Sequence, residues 1–339
     1  MQRWFDRLQP LFLVLGLLFV GLLLRSQWPT LRAYPWQFHP EWLLFSALAM
    51  LLSWSIEVCI WHQLLRIVGG VVPYGATLRM WFLAALIRYI PGNVWQLLSL
   101  TLYCRRWGVR PEATLASIVL YQAVVILAVA PIALLYFGLT GNWGLLTGFV
   151  EEIAGWLLGL AALPVLVFLL RPGWLVALMN WALGKLGRAA IDAQLGTAQL
   201  LQLLLIGVVD WLCWGATFAG LALALGRPST LGLGEFAFHL IAVYSIGYAI
   251  GFLSLLTPSG FGVREGTYYL LLTPLLAGGY VAAIALAMRL WNIFGEVVMA
   301  LLTVLAERLW PLSVEGAAGN IKDAESSGFA TGPSEIAGL

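Results

Sequence analysis

The sequence predicts an all-α, polytopic integral membrane protein of about eight transmembrane helices, with re-entrant or broken helices in two halves. Three observations carry this. Only 10% of its 339 residues are charged, against roughly 25% in a soluble domain. The mean hydropathy is +0.91. Apolar runs long enough to cross a bilayer recur along the whole chain. The net charge of +2 leaves no basic block of the kind that binds nucleic acid, so no nucleic-acid partner is expected.

The elements follow in order. The N-terminus, MQRWFDRLQPLFLVLGLLFVGLLLR, sets Arg3 and Arg7 before an apolar run. The following LLLRSQWPT offers no small-residue cleavage site, so the run reads as an uncleaved first helix. Spans are expected at about 10–25, 41–65, 113–138, 152–171, 199–225, 235–256 and 280–308. Two further apolar regions are interrupted: 76–104 is broken by RYIPGN, and 264–277 follows TPSGFGVREG. The segment 178–196 is amphipathic and moderately basic, as in a helix lying at the cytoplasmic interface. One membrane domain therefore covers 1–310. The tail 311–339 is small, polar and mildly acidic, a composition that favours disorder.

Loop charges give an orientation. Arg3 and Arg7, then Arg66 and Arg79, then Arg105, Arg106 and Arg110, then Arg171, Lys185 and Arg188 alternate with segments poor in basic residues; 139–151 has none. The positive-inside rule puts the N-terminus in the cytoplasm, and 76–104 must then enter and leave on one side as a re-entrant pair. The tryptophans, 17 in all, read mostly as interfacial anchors. Cys59, Cys104 and Cys213 lie far apart in apolar runs with no CxxC, which predicts packing rather than a metal or redox site.

The two breaks are the candidate functional feature. Pro91-Gly92 in LIRYIPGNVWQ and Pro258, Ser259, Gly260 and Gly262 in LLTPSGFGVREG lie about half the chain apart, each with an arginine nearby, Arg88 and Arg264. Lipid cannot satisfy a free N–H or C=O, so unwound backbone persists only where protein or a polar cavity covers it. A helix restarting near Val263 offers a positive end to an anion such as phosphate, and Arg264 adds a full charge. The competing reading is a tight turn between helices at the interface. At membrane depth the sequence also places Glu57, Asp210 and Glu296, with Arg289 two turns from Glu296 on one face. Arg88, Arg264 and Arg289 are their expected partners; otherwise the acids are structural ion pairs or protonated groups packed between helices. His62 and His239, near helix ends, read as interfacial. No GxSxG, HExxH, DxD or Walker motif is present, so no catalytic residue, metal or cofactor is expected.

LLTPSGFGVREGTYYLL resembles the PxGxGxRE signature of the flippase-like transmembrane region of lysylphosphatidylglycerol synthases. RYIPGNVWQ followed by CRRWGV resembles the first motif of that family, and Arg289 with Asn292 and Gly295 resembles its closing helix. Pro91, Gly92, Pro258, Gly260, Gly262, Arg264, Glu265 and Arg289 match; Ser259 stands where the family often has glycine. The resemblance implies a lipid translocase without the soluble aminoacyl-transfer domain, hence a chain that does not itself make lysyl-lipid. The expected ligand is an anionic lipid headgroup at Ser259, Gly260, Gly262 and Arg264, with Arg88 or Arg289 assisting and Glu265, Glu296 or Asp210 balancing the arginines when the site is empty. Movement would be downhill or ion-coupled. Two rivals stand beside this reading. One is an accessory subunit of a glycosyltransferase or lipid synthase. The other is a membrane transferase on a lipid-linked substrate with Glu265 as base.

Overall fold

The computed structural model describes residues 37–85, 87, 95–141, 163–185, 187–226, 231–253 and 262–309. Within them the chain is helical: α1 (Pro40–Ile67), α2 (Tyr74–Ala85), α3 (Trp95–Arg106), α4 (Pro111–Leu127), α5 (Val129–Thr140), α6 (Pro172–Lys185), α7 (Thr197–Ala224), α8 (Leu233–Leu253), α9 (Val263–Leu272) and α10 (Gly278–Leu309). Five stretches are long and apolar enough to cross a membrane: α1, α4 with α5, α7, α8 and α10. They coincide with five of the expected spans. The expected span at 10–25, the tail 311–339 and part of the span at 152–171 lie outside the described residues. So do Arg88, Pro91, Gly92, Pro258, Ser259 and Gly260.

Proline sets several boundaries. Pro40 and Pro111 stand in the first turns of α1 and α4, where a missing N–H costs nothing. Pro131 cannot accept helix continuity from Leu127, its partner four residues back, and α4 gives way to α5 there. Pro172 disfavours helical backbone at Arg171, and Leu163–Leu170 meets α6 at 102°.

α7 is the central helix. In its most apolar window 61% of residues are buried inside the protein, against 33% for α1. It runs antiparallel to α1. His39 N–H donates to the Ala224 carbonyl at 2.8 Å, the Ser46 hydroxyl to the Thr217 carbonyl at 2.8 Å, and the Ser53 hydroxyl to the Asp210 carbonyl at 3.2 Å. Small residues make this approach possible. In lipid there is no hydrophobic drive between helices, so close packing and interhelical hydrogen bonds hold them. A Cβ on Gly215 would stand 2.5 Å from the Ile241 carbonyl of α8, and one on Gly220 would meet Phe45 of α1 at 2.8 Å.

Tryptophan is not confined to the interface. Trp54, Trp61, Trp211 and Trp214 are core residues, each at most 7% exposed. Three of them place their indole N–H on an acceptor: Trp61 on Ser117, Trp211 on the Val125 carbonyl and Trp214 on Glu57. Trp174 and Trp181 remain exposed, as interfacial anchors would.

The segment 178–196 is not one helix. α6 starts six residues earlier, at Pro172, and stops at Lys185. Gly187 then takes φ 65°, and Asn180 clamps the following loop. Its Nδ2 donates to the Ile191 carbonyl at 3.1 Å, and its Oδ1 accepts from Ile191 N–H at 2.9 Å. A side-chain amide that satisfies both backbone groups of one residue stabilises an irregular return better than further helix would.

α2 and α3 have 12 residues each, about 18 Å of helix, too short for a hydrocarbon core of about 30 Å. They pack on each other, and α2 packs on α10. This supports the re-entrant reading of 76–104. A reporter fused at 105–110 is expected to give a cytoplasmic signal; an external signal would refute that topology.

Candidate functional site

The site begins with two glycines. Gly247 and Gly251 lie one turn apart on α8, in GYAIG, the small-xxx-small spacing that lets two helices approach closely. α9 fills the space. A Cβ on Gly247 would come within 2.3 Å of the Tyr268 ring, and one on Gly251 within 3.1 Å of the Arg264 Cβ. Arg264 and Tyr268 are themselves one turn apart on α9, so the two helices mesh in register.

This packing seats Arg264 on aromatic faces. Its guanidinium carbon lies 4.6 Å from the Tyr244 ring centre, 5.2 Å from Tyr248 and 5.7 Å from Tyr268. Its Nε donates to the Tyr268 hydroxyl at 2.5 Å. Tyr244 and Tyr268 stack at 6.0 Å, and Trp214 of α7 stacks on Tyr244 at 5.9 Å. Asn292 of α10 donates to the Tyr244 hydroxyl at 3.4 Å. The ring quadrupoles stabilise the cation by about 2 kcal/mol when water is displaced, and they do so without neutralising it.

Glu265 is held elsewhere. Its Oε2 accepts the Gly262 N–H at 2.8 Å, and its Oε1 accepts Arg289 Nη1 at 2.6 Å. Gly262, at φ 82°, makes the turn into α9, a conformation strained for any residue with a Cβ. The helix does restart at Val263, as expected. However, the Gly262 N–H, at the positive end of that helix, is capped by the helix's own Glu265.

Of the acids expected to balance the arginines, Glu265 meets Arg289, which lies two turns from Glu296 on α10. Glu296 is 1% exposed beside Gly295, which packs on Met50 and Trp54 of α1. Asp210 takes the Ser53 hydroxyl and Glu57 the Trp214 indole. Among the described residues no carboxylate pairs with Arg264, and its side chain is only partly buried. His62 meets Thr77 at 3.0 Å and His239 meets Tyr136 at 3.1 Å; neither joins the site. Among the described residues no group of three or more His, Cys, Asp or Glu side chains could hold a metal ion.

The Arg289–Glu265 pair is partly exposed, with side chains 19% and 29% accessible, so its net worth is on the order of 1 kcal/mol or less. Glu265→Gln keeps an acceptor for Gly262 and loses only the ion pair. A small fall in melting temperature is expected, with a larger one for Glu265→Leu, which also uncaps α9; equal melts for both would contradict this.

A polytopic helical membrane protein carrying a tyrosine-seated arginine at a helix restart is the class that fold and site define. The family described as the lysylphosphatidylglycerol synthase TM region matches residues 10–301, and the chain belongs to that family. No curated protein matches it.

Proposed function

We propose that this protein moves an anionic-headgroup lipid between the leaflets of the bacterial inner membrane, with its N-terminus in the cytoplasm. The substrate is a phospholipid or a polyprenyl-phosphate-linked sugar. One observation carries the proposal: Arg264 keeps a full positive charge, partly open, on three tyrosine rings, while the nearest carboxylate in sequence, Glu265, is engaged by Arg289.

Arginine carries five N–H donors in a planar fork. Tyr268 takes the Nε donor, and the rest of the fork suits phosphate oxygens. Arg289 supplies a second cation whose carboxylate partner can be shared. The break residues Pro258, Ser259 and Gly260, with Gly262, would let backbone approach the headgroup closely; Arg88, Pro91 and Gly92 would contribute from the other half. Glu296 would line the path through α10. The acyl chains stay in lipid while the headgroup crosses.

The test is reconstitution into vesicles holding a fluorescent phosphatidylglycerol or phosphatidylcholine. Faster transbilayer movement of the anionic lipid is expected. Vesicles in which neither this lipid nor a polyprenyl phosphate moves faster than in protein-free controls would overturn the proposal.

A further inference from the structure

α6 has two apolar faces, and among the described residues only one of them is covered. Leu175, Val176, Met179 and Leu183 are buried, and α6 packs on α4. Trp174, Leu178 and Trp181 follow one another at steps of four and three residues and are between 50% and 62% exposed. Residues three and four apart share a helix face, so these side chains make one stripe. α6 contains no acidic residue. Cations stand at both of its ends: Arg171 just before it and Lys185 in its last turn, both exposed.

Length and angle set how this helix lies. Its 14 residues make about 21 Å of helix, short of a hydrocarbon core of about 30 Å. Each end carries a cation that has to reach water or headgroups, so both ends belong to one leaflet. α6 also turns by 102° from the apolar helix Leu163–Leu170 before it, the angle at which a chain leaves a span for the membrane plane. Its Lys185 end sits at a basic end of the bundle. Just beyond, Arg188 Nη1 donates to Glu112 Oε1 in the first turn of α4 at 3.4 Å. Arg110 directly precedes α4, and α3 closes on Arg105 and Arg106.

We propose that α6 is an in-plane helix that gathers anionic lipid in one leaflet. Trp174, Leu178 and Trp181 lie among the upper acyl carbons, and Arg171 and Lys185 meet the phosphates of the lipids the stripe touches. The occupant is the bilayer rather than a protein for two reasons. The chain's own spans bring this face to the membrane, and an apolar stripe between cations, with no acid, complements negative headgroups above acyl chains. Tryptophan suits that boundary, with an apolar body and an N–H at headgroup level. Lys185 shows the arrangement: its ammonium lies 5.8 Å from the Trp181 ring centre, so charge and ring stand at one level. None of this rests on the translocation reading. The Arg264 site has no residue on α6, and lipid on an open stripe exchanges with the bilayer instead of being carried across it.

Photocrosslinking of the full chain tests this, in nanodiscs of equal phosphatidylglycerol and phosphatidylcholine and again in native membranes. p-Benzoylphenylalanine is placed at Trp174, Leu178 or Trp181, and adducts are read by mass spectrometry. Lipid adducts are expected at all three positions, with phosphatidylglycerol favoured about fivefold, the scale of one cation beside an anionic surface. The preference should fall to near parity in Arg171→Gln combined with Lys185→Gln, which should melt like the wild type because both side chains are exposed. It should persist in Arg264→Ala. Fragment spectra give the depth. Trp174 and Trp181 are seven residues apart, about 10 Å along the helix, so a flat helix marks the same stretch of acyl chain from both positions. Adducts at different depths, adducts to protein in native membranes, or no lipid adduct would each overturn the proposal. So would equal capture of the two lipids by the wild type, a preference that survives the double variant, or one lost in Arg264→Ala.

Discussion

Replacing Arg264 with alanine is expected to abolish anionic-lipid movement while leaving a folded membrane protein. The residue is partly buried, so the substitution removes a cation and its aromatic contacts and creates no deep cavity. Three tyrosine faces lose their cation, and the Tyr268 hydroxyl loses the Nε donor. The cost to stability should be about 1–2 kcal/mol, the scale of a partly desolvated cation–π contact. The cost to function should be far larger, because a headgroup phosphate bound there would lose its charge-assisted donors, and such bonds are roughly twice as strong as neutral ones. Arg264→Lys separates charge from shape. A lysine keeps the charge but cannot lie flat on Tyr244 or present a planar fork, so it should restore only part of the activity. Wild-type transport by Arg264→Ala in the vesicle assay would contradict the assignment.

Gly247→Ala is expected to disable the same site from outside it. The added Cβ would stand 2.3 Å from the Tyr268 ring. That ring is 2% exposed and lies against Tyr244 and Phe218 at 6.0 Å and 5.2 Å, so it has nowhere to go. Overpacking of this kind costs roughly 1–3 kcal/mol, and here it pushes α9 off α8, taking Arg264 off its rings. Lower melting temperature and lost lipid binding should appear together. Gly266→Ala on the same helix is the control, since a Cβ there meets nothing within 4 Å. It should melt like the wild type or higher, because alanine favours helix over glycine. Equal melts for the two variants would refute the close-packing account of α8 and α9.

The membrane fold was legible because apolar runs of span length leave few alternatives. Five of the expected spans reappear within a few residues of their predicted ends, and Val263 begins a helix where the glycines of TPSGFGVREG end. The interfacial helix at 178–196 failed for a local reason. Composition shows amphipathicity, but not that Asn180 would clamp Ile191 and hold the chain in a loop. Most tryptophans were read as anchors because their interfacial use is common; only packing shows that Trp54, Trp61, Trp211 and Trp214 fill the core.

The site was half legible. Arg264 stood out as a charge in an apolar region. Its seat did not, because Tyr244 and Tyr248 belong to a different helix and look like ordinary apolar-face residues. The signal was present in spacing: Tyr244 and Tyr248, Gly247 and Gly251, and Arg264 and Tyr268 each recur at one helical turn. Glu265 and Arg289 were both named at the site, but only the packing of α9 against α10 shows that these two meet, at 2.6 Å. Asp210 and Glu57 were visible as isolated acids. That they share one seam depends on the antiparallel register of α1 and α7, which no local pattern encodes.

The central claim is that Arg264 meets a lipid phosphate. Native mass spectrometry of the protein released from lipid nanodiscs tests it most directly. The wild type should retain an anionic phospholipid or polyprenyl phosphate at a defined stoichiometry, and Arg264→Ala, folded by its melt, should lose that adduct while keeping loosely bound zwitterionic lipid. Equal retention of the anionic lipid by both proteins would contradict the account.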